Sequence, residues 1–421
     1  MRLNLRILLV MSVVFIMASC ADDMYFNMRP SSEGSSPATK SGERTVTYNR
    51  KVMIFISGGK NGLYRYLESD MKDIRAGYLP TDFVGDNVLV VLHRNGSSLS
   101  SYSPTTLLWL YKDRFGKVVQ DTLHTWGKGA TPVFGGSTIA EALTIVKKRF
   151  PASSYGLVIS SHGSGYLPDG YYNDPTEYDG AHPLSIGQDV DANKSVEMEL
   201  PAFYNSLPYH FDYILFDACF MGGIETAYQL KDKADVIGFS QTEILAEGFD
   251  YTTIASRLLK NTPEPVAVCE DYFNQYKDRE DLTDRSATIS AVKTAEIDKL
   301  AAVCKTLFQK YRTQIEKVDA KNVQRYHRGP TAFLDGVPRP FFFDLRDILV
   351  KSGVSDADMA AFDEALAKVV IYEAHTEQFM RSFTLDNCCG LSMFLPNQGS
   401  AILKNYYRNN IAWNAATELV N

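Results

Sequence analysis

The chain has 421 residues, 45% hydrophobic and 12% aromatic, enough apolar surface for a sizeable core and too much for a disordered or collagen-like protein. Its 43 basic and 50 acidic residues give a net charge of −7, which argues against a nucleic-acid partner held by phosphate neutralisation. The length fits two or three domain-sized units, or one large α/β domain with an appended helical piece.

The N-terminus carries Arg2 and Arg6, an apolar run from Ile7 to Ala18, and Met17-Ala18-Ser19-Cys20, the pattern of a secretory signal. The run is too short to span a bilayer, which takes about 20 residues. The small residues before Cys20 resemble the bacterial lipoprotein box, which implies acylation of Cys20 and export. The protein is then lipid-anchored to the outer membrane, on the cell surface or the periplasmic face. Asp22 and Asp23 resemble the surface-routing signal of Bacteroidetes lipoproteins. Without Arg2 and Arg6 the net charge becomes −9. Residues 1–19 are thus read as a signal peptide and 20–44, rich in Ser, Gly and Pro, as a flexible tether.

From 45 to 262 the pattern alternates. Val52-Met53-Ile54-Phe55-Ile56 and Val88-Leu89-Val90-Val91-Leu92 read as strands buried on both faces, with a helix over 62–74 between them. Residues 106–123 read as a hairpin turning near Phe115-Gly116-Lys117. Ser137 offers an N-cap for a helix through Arg149. Further strands are expected at 156–160, 211–216 and 236–239, with a helix over 221–231. This order predicts a mostly parallel sheet with helices on both faces. Residues 263–421 read as a C-terminal helical extension (helices at 296–311 and 359–375) with a returning strand at 390–395.

In such sheets functional groups collect at the carboxyl ends of the strands. One of these ends runs into His162-Gly163-Ser164-Gly165; another, 57 positions after His162, runs into Asp217-Ala218-Cys219. A thiol and an imidazole on one sheet edge suit a nucleophilic cysteine, and the imidazole favours the attacking thiolate. Gly163 leaves room for a substrate carbonyl, and the Gly163 and Cys219 N–H groups could hold the oxyanion. Five cysteines follow Cys20, an odd number, and their spacing suits neither a zinc site nor a disulfide framework. Cys269, Cys304, Cys388 and Cys389 lie in helical or apolar contexts, as small buried hydrophobes do.

His-Gly-Ser-Gly followed by Asp-Ala-Cys-Phe-Met-Gly, with Glu225, Ala227, Tyr228 and Leu230 after it, resembles the clostripain family of cysteine peptidases, relatives of caspases and gingipains. The resemblance runs from the first strand through Ala246-Glu247-Gly248-Phe249-Asp250-Tyr251 to Phe343-Asp344-Leu345 and the 390–396 segment. It implies a caspase-like fold and an endopeptidase with a His162–Cys219 dyad that cleaves after Arg or Lys. It places Asp217 in the pocket for the basic side chain, with Glu247 as a second acidic group where an aspartate is the family's usual residue; Asp250 is a third candidate. Tyr166 stands where relatives commonly carry Trp. Family members often cut themselves between the histidine and the cysteine. From 163 to 218 the only basic residue is Lys194, so maturation is expected after it.

The partners implied are peptides or proteins with Arg or Lys at the cleaved position, the membrane is met only through the lipid, and a monomer is expected. No cofactor is expected: clostripain is associated with calcium, but the acidic loops here form no recognisable calcium loop. A serine hydrolase reading of Ser161 and Ser164 lacks a Gly-x-Ser-x-Gly elbow, and Gly58-Gly59-Lys60-Asn61-Gly62 lacks phosphate-loop spacing. The alternative from another class is a non-catalytic surface binding lipoprotein on the same fold.

Overall fold

Alternate residues of the first apolar run serve opposite faces of a sheet: Val52, Ile54 and Ile56 enter one core, Met53 and Phe55 the other. The computed structural model describes residues 48–94, 96, 104–127, 131–168, 186–191, 194–328 and 341–421, with the side chains of 191, 194 and 195 outside the description. The expected signal peptide, Cys20 and nearly all of the tether lie outside the described residues.

The strands in chain order are β1 (Tyr48–Gly58), β2 (Val88–Arg94), β3 (Thr106–Lys112), β4 (Val118–Thr125), β5 (Ala152–Ser160), β6 (Ile186–Asp191), β7 (Lys194–Met198), β8 (Phe211–Asp217), β9 (Ala234–Phe239), β10 (Thr288–Lys293), β11 (Phe343–Asp344), β12 (Val370–His375), β13 (Gln378–Phe379), β14 (Phe383–Thr384) and β15 (Ser392–Met393). Nine of them form one sheet in the order β12-β10-β9-β8-β5-β1-β2-β3-β4. Its centre, β9-β8-β5-β1-β2, is parallel, and the flanks are antiparallel. The central strands carry long β-branched runs because helices cover both faces.

The helices are α1 (Tyr64–Ala76), α2 (Gly136–Arg149), α3 (Leu200–Ser206), α4 (Ile224–Gln229), α5 (Ile254–Leu258), α6 (Pro265–Tyr276), α7 (Ile297–Lys310), α8 (Arg312–Lys317), α9 (Leu345–Lys351), α10 (Asp356–Val369), α11 (Ala401–Asn410) and α12 (Ala412–Thr417). α1, α5 and α6 bury Met71, Ile74, Ile254, Leu258 and Tyr272 on one face. α2, α7, α10 and α12 bury Leu143, Leu300, Phe362 and Trp413 on the other. Among the described residues no helix is long and apolar enough to cross a membrane.

Four expectations change. No break separates the core from a helical extension at 262/263, because β10 and β12 extend the same sheet and residues 46–421 form one unit. The helix expected through 375 ends at Val369: Val370–His375 is a strand, its β-branched start pairing antiparallel with β10. The returning strand shrinks to β15, which pairs with β11 outside the main sheet. Finally, α2 starts at Gly136 after an extended Gly135, so Ser137 lies inside its first turn and is not its N-cap.

Candidate active site

β5 and β8 pair in parallel with Ser160 opposite Asp217, and the Ser161 N–H donates to the Asp217 carbonyl at 3.3 Å. His162 and Cys219 are each two residues beyond that matched pair. The next step of chain is closer still. A Cβ at Gly163 would lie 2.5 Å from the Cys219 carbonyl oxygen and 3.3 Å from the Cys219 nitrogen, a space only glycine tolerates. The histidine turn and the cysteine turn therefore pack backbone against backbone at the carboxyl edge of the sheet.

The cysteine turn is strained by design. Phe220, just after Cys219, has φ 60°, a left-handed conformation that costs a non-glycine residue about 1 kcal/mol. Its N–H donates to the Thr242 carbonyl at 2.9 Å, and its ring stacks on Phe342 at 4.6 Å, which hold the turn. The sulfur itself accepts from the Ile244 N–H at 3.4 Å. Burial pushes the Cys219 thiol up to about 12, with Glu243 and Asp217 adding to the rise and Ile244 and Arg328 opposing it. Burial also lowers the His162 imidazole. Burial thus favours the uncharged form of each group. Arg328 forms a two-pronged ion pair with Glu243, one residue from Ile244.

Asp217 faces the α1, α5 and α6 side. Its carboxylate accepts from the Tyr251 hydroxyl at 2.8 Å and the Phe249 N–H at 3.2 Å. Gly248, with φ 62°, crosses directly over it: a Cβ there would lie 2.2 Å from Oδ2. Burial raises Asp217 to about 6, opposed by its hydrogen bonds from Tyr251 and Phe249. Ser160 donates to Asp70 Oδ2 at 3.3 Å, and burial together with the Asp217 charge raises Asp70 to about 9. Ser160 thus stands beside two buried carboxyl groups, and burial favours the protonated form of each. Asp70 falls in the apolar stripe of α1 (Leu67, Met71, Ile74), the one signal by which the sequence could have revealed it.

A cavity of about 480 Å³ lies beside this network, lined by Asp70, Asp73, Glu247, Asp250 and Tyr251 among others; neither Asp217 nor Cys219 lines it. Glu247 is half-exposed and pairs with Arg279 at 3.7 Å. Asp250 is engaged by the Thr252 N–H at 2.9 Å and the Thr253 hydroxyl at 2.9 Å, which makes it the anchor of a turn. Tyr166 is fully buried and donates to the Phe341 carbonyl at 2.6 Å. The backbone of Lys194 opens β7, at the tip of the β6–β7 hairpin. Cys269 and Cys304 are buried, Cys388 and Cys389 half-buried, and none is disulfide-bonded. Among the described residues no group of three or more His, Cys, Asp or Glu side chains could hold a metal.

Comparison with protein families matches the Clostripain family over residues 54–418, a span that includes both turns and the Asp217 network. The chain belongs to the clostripain family. Among solved structures it resembles an inactive zymogen C11 protease from Parabacteroides distasonis, 26% identical, with a TM-score of 0.72 over 89% of this chain and 99% of that one. It shares its fold with a secreted C11 cysteine protease from Bacteroides thetaiotaomicron in complex with an irreversible peptide inhibitor, 24% identical, TM-score 0.71 over 88% and 99%. No curated protein sequence matches the chain. Membership of this family makes the chain a cysteine peptidase acting on peptide or protein substrates.

Proposed function

We propose that the protein is an endopeptidase that cleaves after Arg or Lys, with Cys219 as nucleophile, His162 as general base and Asp217 as the charge that selects the basic side chain. The close packing of Gly163 on the Cys219 backbone carries this reading. In the reaction His162 takes the thiol proton, the sulfur attacks the scissile carbonyl, and the Gly163 and Cys219 N–H groups receive the oxyanion. His162 then protonates the departing amine, and water hydrolyses the thioester. A neutral or acidic side chain in the recess would leave the Asp217 carboxylate desolvated and unpaired, so selection works by penalty.

The conformation described above is latent in this reading. The 245–251 loop caps Asp217, and burial favours the protonated thiol. That a 26% identical relative is an inactive zymogen agrees with it. Cleavage after Lys194 is the maturation step, and displacement of the loop opens the recess beside the cavity at Asp70 and Glu247. Cys20 anchors the exported enzyme through lipid. A fluorogenic panel with Arg, Lys, Asp and Leu at the cleaved position tests the proposal: turnover confined to Arg and Lys is expected, and turnover only after Asp or Leu overturns it.

A further inference from the structure

β6 crosses the ends of β1 and β2 on the histidine side of the site, and one buried carboxylate ties it there. Asp189 accepts from the Lys60 N–H at 3.0 Å, the Val133 N–H at 2.7 Å and the Phe134 N–H at 3.4 Å, and from Arg94 Nη1 at 2.8 Å. Both members of the ion pair are essentially excluded from solvent, 2% and 1% exposed. Such a pair stabilises a fold only when its remaining hydrogen bonds are made, and here backbone donors from two separate loops make them. The neighbouring backbone follows: the Val190 N–H donates to the Lys60 carbonyl at 2.8 Å, and Asn61 Nδ2 to the Gln188 carbonyl at 2.9 Å. Gly59 and Gly187 supply the close approaches. A Cβ on the first would lie 1.9 Å from the Gln188 oxygen, and one on the second 2.1 Å from the Phe134 ring.

The strand so fixed grips the candidate base. The Gly187 N–H donates to the His162 carbonyl at 2.9 Å, and Ile186 bridges Gly163. We infer that Asp189 is a positioning residue for His162: it clamps β6 to the Lys60 and Val133 loops and to Arg94, and β6 holds the His162 main chain in register with the cysteine turn. This rests on the reading of His162 as general base. Asp189 precedes Lys194, so a cut at the hairpin tip leaves the clamp on the fragment that carries the histidine.

The test is Asp189→Asn in the full chain, which keeps the shape and removes the charge facing Arg94. Folded enzyme is counted from the native fraction in urea unfolding, independently of the thiol's reactivity, so that kcat refers to folded molecules. A displaced base costs about 10- to 100-fold in kcat per folded molecule with KM within about threefold. A kcat per folded molecule within about twofold of wild type overturns the inference, however far the melting temperature falls, because a purely structural role lowers the number of folded molecules and not their rate. Should the Asn variant yield no folded protein, Arg94→Lys is judged by the same criterion. His162→Ala is run alongside: an active His162→Ala enzyme removes the base assignment, whereas an inert one with unchanged Asp189→Asn kinetics removes the clamp alone.

Discussion

Gly163 bears a tight steric demand against the cysteine turn, since an added methyl would meet the Cys219 carbonyl at 2.5 Å and the Ala218 methyl at 3.1 Å. The carbonyl belongs to a turn already held in a left-handed conformation at Phe220, so it has little freedom to yield. Gly163→Ala is therefore expected to lower kcat by about 100-fold or more while costing about 1–3 kcal/mol of stability, measured by steady-state kinetics and urea unfolding. Asp217 makes a different demand, for charge. Asp217→Asn keeps an acceptor for Tyr251 and loses the anion; kcat/KM for Arg and Lys substrates should fall about 30-fold or more, with little change for an uncharged side chain. Burial raises this carboxyl to about 6, and it gains its charge as pH rises through that value. Hydrolysis of cationic substrates should rise over the same window, and the Asn variant should lack that limb of the profile.

Among the elements, the central strands were legible because double-sided burial demands unbroken apolar runs, and β1, β2, β5 and β8 carry them. β10 and β12 were not. Thr288–Lys293 mixes polar and apolar residues without a clear period, and Val370–His375 continues the helical spacing of α10. Pairing with β10 overrode that local preference. The join between α4 and the C-terminal segment depends on Glu225, which is fully buried: Oε1 accepts from the Phe394 N–H at 2.8 Å and the Tyr407 hydroxyl at 2.7 Å, while Oε2 has no hydrogen-bond partner. Burial raises it to about 7. Its folded value exceeds the unfolded one, so its contribution to stability is full below about pH 4.5 and is lost as pH rises through about 7. Glu225→Gln cannot ionise. Relative to it, wild type should lose on the order of 3 kcal/mol between pH 5 and pH 8 in urea unfolding, and an equal difference at both pH values would contradict the assignment.

For the whole molecule, the sequence revealed the two turns because each is a short polar motif at the end of an apolar strand. It did not reveal how they are closed. The Asp217 cap depends on Phe249 and Tyr251, more than 30 positions away, and the Asp189 clamp joins four segments separated by up to 129 positions. No local pattern encodes such distances. The β6–β7 hairpin spans the expected cleavage point, with Asp191 paired to Lys194. Lys194→Ala should abolish clipping between the histidine and the cysteine, and Cys219→Ala should do the same, both read by intact mass. Clipping that persists in the cysteine variant would assign it to another protease.

In the proposed mechanism Cys219, among the cysteines of the folded chain, is the nucleophile beside an anionic recess. The most direct measurement is peptide mapping of the processed enzyme after reaction with an irreversible thiol-directed peptide bearing Arg at the cleaved position, compared with the same peptide bearing Asp. A single adduct on Cys219 is expected with the Arg peptide, absent in His162→Ala, and negligible reaction with the Asp peptide. An adduct on Cys269, Cys304, Cys388 or Cys389, or equal labelling by both peptides, would contradict it.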